Sequence, residues 1–254
     1  MDTRTDPSLP PSAIEFDSVS KIYDGRVVLD RLTLSVRTGE TLVLLGTSGC
    51  GKTTALRMIN RLTEPTSGTV MVAGRRVTTW DPISLRRRTG YVIQDAGLFP
   101  HFTVERNIAL VPRLLGWDMG RQAARVTELL EMVGLNPAHY RTMLPHQLSG
   151  GERQRVGVAR ALAADPPVLL MDEPFGALDP ITRARLQREF GELARHLART
   201  IVFVTHDIVE AYRLGTRIAV LADGRVRQIG TPGEIRDNPV DDFVREFVTS
   251  HVLA

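Results

Sequence analysis

Residues 46–53, GTSGCGKT, bring together the groups that grip a triphosphate. They fit the pattern G-x-x-x-x-G-K-[ST], following an apolar strand and opening a helical run, as that pattern requires. Glycines let successive backbone N–H groups turn inward around phosphate oxygens, and a helix N-terminus adds favourable partial charge. Gly46, Thr47, Ser48, Gly49, Cys50 and Gly51 are therefore expected to surround the phosphates, with Thr54 beside them. Lys52 is expected to reach the β- and γ-phosphates, and Thr53 to ligate Mg²⁺ through its hydroxyl.

VLLMDEP, 168–174, supplies a second part. An apolar strand ending in an acid can deliver that carboxylate to a metal ion beside the phosphates, which is the position of Asp172. Glu173 stands one residue further, where it could polarise a water for in-line attack on the γ-phosphate. Alone, an Asp-Glu pair at a strand end is as often a surface pair; the phosphate loop upstream argues for the catalytic use. A third stretch, LSGGERQRV at 148–156, also pairs glycines and a serine with the start of a helix, but it has no lysine. It reads as a second, incomplete phosphate loop.

The elements that must position these residues follow from periodicity. IEFDSVSKIY, VVLDRLTLSV and ETLVLLG read as strands with DG and TG turns between them. KTTALRMINRL after Gly51 reads as a helix stopped by Glu64-Pro65; TVMVAG and GYVIQ (90–94) read as strands. From about 98 to 165 the pattern is helical. One run there places Ala123, Val126, Leu129, Leu130 and Val133 on one face and ends at Gly134. VLLM and TIVFVT (200–205) are uninterrupted apolar runs, suited to strands buried on both faces of a parallel sheet. The stretch 181–198 reads as a helix, and 217–230 as a hairpin turning at Asp223-Gly224.

Bulk composition bounds the function classes. The chain has 254 residues, 43% hydrophobic and 24% charged, enough for an ordinary soluble core. A net charge of +3 with scattered basic residues argues against a nucleic-acid partner. Cys50 is the only cysteine, so no intrachain disulfide can form. No apolar run approaches the roughly 20 residues that span a bilayer. MDTRTDPSLPPS has no apolar signal core and reads as a disordered lead-in.

The motifs, in this order, resemble the nucleotide-binding subunits of ATP-binding cassette transporters over about residues 14 to 248. LSGGERQRV is similar to the family signature. The resemblance implies an α/β fold: a P-loop NTPase core with a parallel sheet flanked by helices, an antiparallel β subdomain and an inserted helical subdomain at about 98–165. That domain would occupy 13–248, between a lead-in (1–12) and a tail (249–254). It also implies roles. Tyr23 matches the aromatic stacked on adenine, and Gln94 the glutamine contacting Mg²⁺ and water near the membrane partner. His206 matches the switch histidine at the γ-phosphate; a lone histidine would more often be structural. Asp179 matches the loop touching the opposing subunit, and otherwise reads as a helix N-cap before Pro180. Ser149, Gly150, Gly151 and Glu152 would meet ATP bound by a second copy of the chain, so the missing lysine is supplied by the partner's own loop. Thr47 stands where proline is common, Glu152 where glutamine is common, and Asp95 where relatives often carry glutamine.

RMINRLTEPTSG and the stretch from LRRRTGYVIQDAG to PRLLGW look most like importers of glycine betaine, choline and carnitine. The implied partners are a second copy, integral membrane permease subunits and, indirectly, an extracytoplasmic substrate-binding protein, with the chain peripheral on the cytoplasmic face of the membrane. The sequence stops soon after DDFVREFVTSHVLA, so C-terminal regulatory modules are not expected. The rival readings are a cassette for another cargo, a non-transport cassette ATPase, which usually carries long insertions or two cassettes, and a simple phosphate-loop kinase or switch, in which a signature would have no work.

Overall fold

The computed structural model describes residues 12–197 and 199–250. The expected lead-in (to residue 11), position 198 of the expected helix and the tail from 251 lie outside the described residues. Ser12, assigned to the lead-in from sequence, instead opens the first strand.

The N-terminal alternation produces β1 (Ser12–Tyr23) and β2 (Arg26–Arg37), which pair antiparallel across the Asp24-Gly25 turn. The continuous apolar run Thr41–Leu45 is β3, buried at every residue. After the phosphate loop comes α1 (Lys52–Ile59), three residues shorter than the periodicity predicts. Arg61 adopts φ 54°, with Arg61 N–H bonded to Met58 O at 3.1 Å and Leu62 N–H to Arg57 O at 2.8 Å. This is a Schellman stop, made here without glycine and reinforced by Asn60 Oδ1 accepting from Leu62 N–H at 3.3 Å.

β4 (Ser67–Val72) and the short β5 (Arg75–Arg76) complete the antiparallel sheet, in order β2-β1-β4-β5. A helix the periodicity did not reveal follows, α2 (Pro82–Arg87). Its start is nonetheless encoded: Pro82 sits in the first turn and Asp81 Oδ2 accepts from Ser84 N–H at 2.8 Å. β6 (Thr89–Val92) is shorter than GYVIQ, so Gln94 stands in the turn beyond it.

The helical insertion starts at α3 (Val104–Ile108) and continues through α4 (Leu110–Leu114), α5 (Met119–Met132), α6 (Pro137–Tyr140) and α7 (Gly150–Leu162). Val126, Leu129, Leu130 and Val133 are buried as their spacing requires, while Ala123 is half-buried. Gly134 (φ 70°) closes α5, with Leu135 N–H on Leu130 O at 2.8 Å. The fully buried Asn107 organises the segment before α3. Its Oδ1 accepts from Phe99 N–H, and its Nδ2 donates to the carbonyls of Phe99, Phe102 and Thr103.

The chain then alternates between sheet and helix: β7 (Val168–Asp172), α8 (Pro180–Leu197), β8 (Thr200–Thr205), α9 (Ile208–Leu214), β9 (Arg217–Ala222) and β10 (Arg225–Gly230), then α10 (Pro232–Asp237) and α11 (Asp242–Ser250). Strand order in the larger sheet is β10-β9-β3-β8-β7-β6; β10 pairs antiparallel with β9, and the other neighbours are parallel. Alternate residues serve two cores. Val43, Leu45, Leu169, Met171, Ile201 and Phe203 face the cluster that includes α7, α8 and α9. Leu42, Leu44, Val168, Leu170, Val202 and Val204 face α1 and the antiparallel sheet. Both faces are covered, which is why these strands read as unbroken apolar runs.

Parallel registry brings the carboxyl ends of three strands level. Leu45 pairs with Thr205, and Asp172 with Val204. The phosphate loop, the Asp172-Glu173 pair and His206 therefore leave the same edge of the sheet, where open α/β folds bind ligands.

Candidate nucleotide site

A cleft of about 1640 Å³ opens along this edge. It is lined by Thr47 through Thr54, Glu173, Tyr23 and, on the far side, residues 223–227 with Val240 and Asp241. Gly51 enters α1 with φ 103°, and a Cβ there would lie 2.5 Å from Leu29 Cδ2 and 2.8 Å from Val28 O. Only glycine fits between the loop and β2. No side chain caps the start of α1, so its first N–H groups stay available to an anion.

Lys52 is 4% exposed, and its Nζ donates to Gly46 O and Thr47 O, each at 2.8 Å. The ammonium is thereby held inside the curl of the loop. Thr53 Oγ1 donates to Asp172 Oδ1 at 2.8 Å, so the two expected metal-ligating oxygens already meet across the sheet edge. Tyr91, on β6, donates to the other oxygen, Asp172 Oδ2, at 3.3 Å. Burial first, and then the charge of Asp172, push the Tyr91 hydroxyl up to about 12, so it remains a donor throughout the physiological range. No motif marks Tyr91; its position on the strand beside β7 is what brings it to Asp172. Burial likewise raises the Cys50 thiol, against the opposing pull of Lys52.

Glu173 departs from the strand abruptly. Its N–H still bonds Val204 O at 3.0 Å, yet its φ is 46°, a left-handed conformation costing about 1–3 kcal/mol for a side-chain-bearing residue. The following loop holds that turn. Phe175 is 2% exposed and packs 5.9 Å from Phe203 and 6.1 Å from Phe190, centroid to centroid. Arg183 donates to the carbonyls of Phe175, Gly176 and Leu178, a tie invisible in the sequence because it spans a loop and the next helix. His206 Nδ1 lies 3.3 Å from Glu173 Oε2. A Cβ on Gly176 would be 3.2 Å from Gln94 Nε2 and 3.7 Å from Glu173 Oε2, so Gln94 and Glu173 converge on that glycine. Among the described residues no hydrogen bond links Gln94 to Thr53 or Asp172. Arg160, on α7, donates to Ala96 O and Gly97 O and so ties the Gln94 turn to the helix that begins with the signature.

Tyr23 lines the cleft half-exposed, with Lys21 Nζ 4.6 Å from its ring centroid and its hydroxyl 2.9 Å from Thr63 Oγ1. The signature residues lie elsewhere: none of Ser149, Gly150, Gly151, Glu152 or Asp179 lines the cleft. Ser149 caps α7 in a reciprocal box, its Oγ accepting from Glu152 N–H at 3.3 Å while Glu152 Oε2 accepts from Ser149 N–H at 2.7 Å. The Ser149 N–H is thus already used, which narrows the expected donors to its hydroxyl proton and the N–H groups of Gly150 and Gly151. Gly151 is needed for a close approach, since a Cβ would sit 2.8 Å from Thr182 Cγ2 on α8. Asp179 does act as the N-cap of α8, accepting from Ile181 and Thr182 N–H groups, and the Thr182 bond holds its carboxyl below the usual range.

Tyr140 donates to Glu152 Oε1 at 2.6 Å and, with Ser149 N–H, holds the Glu152 carboxyl below its ordinary range. A depressed carboxylate contributes stability above its unfolded-state pKa and loses it as pH falls through the folded value. Tyr140→Phe is expected to lower Tm by about 1–4 °C at neutral pH, the worth of one hydrogen bond in a domain of this size. The deficit shrinks toward acid pH, where the cap is lost in both forms; thermal melts across pH check this.

Fold and site together define a phosphate-loop nucleotide-binding protein of the cassette ATPase type. A sequence profile described as ABC transporter matches residues 29–176, and the chain belongs to that family. It is 52% identical over 236 residues to the glycine betaine/carnitine/choline transport ATP-binding protein OpuCA of Bacillus subtilis, covering 92% of this chain and 62% of that protein. It is 52% identical over 220 residues to the osmoprotectant import ATP-binding protein OsmV of Salmonella typhimurium, covering 87% and 58%. It is also 45% identical over 244 residues to the Fe(3+) ions import ATP-binding protein FbpC 2 of Rhodococcus jostii, covering 95% and 68%. The chain therefore spans about 60% of the length of the first curated relatives it matches. Among solved structures, the dimeric post-hydrolysis state of the ATP-binding cassette MJ0796 bound to ADP and Pi superimposes with TM-score 0.76 at 32% identity, over 86% of this chain and 98% of that one. For cbiO1 from Clostridium perfringens, part of the ABC transporter complex cbiONQ, the TM-score is 0.80 at 27% identity, over 88% and 90%. No helix among the described residues is long and apolar enough to cross a membrane.

Proposed function

We propose that this chain binds and hydrolyses ATP to energise an importer of quaternary amines such as glycine betaine, choline or carnitine. It works as a pair of copies attached to integral membrane permease subunits at the cytoplasmic face. The observation that carries the hydrolytic reading is the juxtaposition at one sheet edge of Lys52 within its loop, the Thr53–Asp172 contact and the Glu173–His206 pair. The cargo reading is supported by the names of relatives such as OpuCA and OsmV.

The residues fit a magnesium ion. Thr53 Oγ1 and Asp172 Oδ1, 2.8 Å apart, would hold it, as two hard oxygens side by side. When bound, Mg²⁺ neutralises charge developing on the phosphate oxygens. Lys52 and the free N–H groups of α1 hold the triphosphate in register. Glu173 accepts the proton of the attacking water, and His206, against Glu173 Oε2, fixes that carboxylate. A second copy brings its Ser149 hydroxyl and the N–H groups of Gly150 and Gly151 to the same phosphate. ATP thereby favours the closed pair, and hydrolysis removes that preference and lets it open. Opening and closing are passed to the permease near Gln94 and the helical insertion, and an extracytoplasmic binding protein delivers cargo.

The test is ATP turnover by the chain and its permease in lipid vesicles with the cognate binding protein. Stimulation by choline, carnitine or glycine betaine is expected. Stimulation by ferric ion instead would assign the cargo class named for the FbpC relatives.

A further inference from the structure

We propose that Glu210 is a positioning residue of the hydrolytic site, acting through Thr205 on the turn that carries His206. This rests on the reading of Glu173 and His206 as the hydrolytic pair. Glu210 lies on α9, 4% exposed, with no cation in ion-pair contact among the described residues. Arg183, in the wall of the same small cavity, favours the charged carboxylate from a distance, and the two oxygens themselves are held by the neutral donors Gln187 and Thr205.

Its hydrogen bonds require an acceptor on both oxygens. Gln187 Nε2 donates to Glu210 Oε1 at 2.8 Å, and the orientation of that amide is fixed because Gln187 Oε1 accepts from Arg213 Nη1 at 2.7 Å. Thr205 Oγ1 donates to Glu210 Oε2 at 2.6 Å. The same hydroxyl accepts from Asp207 N–H at 2.9 Å. Because its hydrogen is committed to Glu210, its lone pair faces the Asp207 N–H, and the backbone on either side of His206 is fixed. Asp207 continues the turn by accepting from the N–H groups of Val209 and Glu210. Burial pushes the Glu210 carboxyl up, and the Thr205 and Gln187 donors oppose that shift. Glu210 also faces a cavity of about 30 Å³ whose walls include Glu173, Gly176, Arg183 and His206, so it stands directly behind the hydrolytic pair.

Glutamine at 210 keeps the volume, but with its oxygen on Gln187 Nε2 it turns an NH₂ group to Thr205, whose O–H then loses the acceptor that orients it. Glu210→Gln is expected to lower kcat by about 10–100-fold through misplacement of His206, with KM for ATP unchanged. Thr205→Val, which keeps volume and deletes the hydroxyl, gives the same loss. Thr205→Ser, which keeps the hydroxyl, restores most of it. Combined with His206→Ala, Glu210→Gln adds no further loss, because both act through one side chain. An equal loss in both backgrounds overturns the proposal and makes Glu210 a structural support. Normal kcat in Glu210→Gln beside a crippled His206→Ala also overturns it while sparing the hydrolytic pair. Normal turnover in His206→Ala itself rejects the pair, and the proposal with it. If Glu210→Gln fails to fold, the Thr205 variants decide the same question.

Discussion

Glu173→Gln is expected to bind ATP as the natural chain does and to hydrolyse it about 10²–10⁴-fold more slowly, the usual worth of a positioned general base. Glutamine preserves the volume at the strand end and the position against Gly176, and it pays the same left-handed backbone cost at φ 46°. Only the proton acceptor is lost. The Thr53–Asp172 contact and the Lys52 loop are untouched, so calorimetric ATP affinity in magnesium stays constant while phosphate release falls. Near-normal turnover would remove Glu173 from the role. Phe175 in the core and Arg183 on three carbonyls hold the loop that follows this left-handed residue, and so set the direction of the Glu173 side chain.

Lys52→Ala acts one step earlier, on binding. The buried ammonium donates to two loop carbonyls, Gly46 O and Thr47 O, each at 2.8 Å. The contact it is expected to make to phosphate is charge-assisted, worth about 1.5–3 kcal/mol, and its loss would also slacken the loop around it. A weakening of ATP affinity on the order of 10–10²-fold is expected. Titration calorimetry on a variant with unchanged Tm checks it, and unchanged affinity would count against the phosphate-loop reading. Together the two substitutions separate binding from chemistry: one loses affinity, the other loses rate.

Much of this site was legible in the sequence because its parts are local. GTSGCGKT and VLLMDEP each carry their chemistry within eight residues, and the unbroken apolar runs of β3, β7 and β8 announced a sheet covered on both faces. What stayed hidden depends on contacts between distant elements. Tyr91 on Asp172, Arg183 on the loop after Glu173, Arg160 on the turn after Gln94 and Glu210 beneath His206 are single polar residues whose partners are set by topology. The early end of α1 was missed for a different reason. Its stop uses Arg61 in a left-handed conformation where glycine would have been the readable signal. α2 was missed although Asp81-Pro82 encodes its start, because six residues are too few for a hydrophobic period. The signature resembles half of a site, and its residues lie outside the cleft that holds the phosphate loop.

Because the signature lies apart from the cleft, sedimentation with magnesium and ATP tests a composite site most directly. Glu173→Gln, expected to hold ATP without consuming it, should sediment at twice the monomer mass with ATP and as a monomer without it. Adding Ser149→Arg, which sets a bulky cation where the signature hydroxyl caps α7, is expected to abolish the dimer while ATP affinity of the monomer is kept. An ATP-dependent dimer that survives Ser149→Arg would contradict a site completed by the second copy.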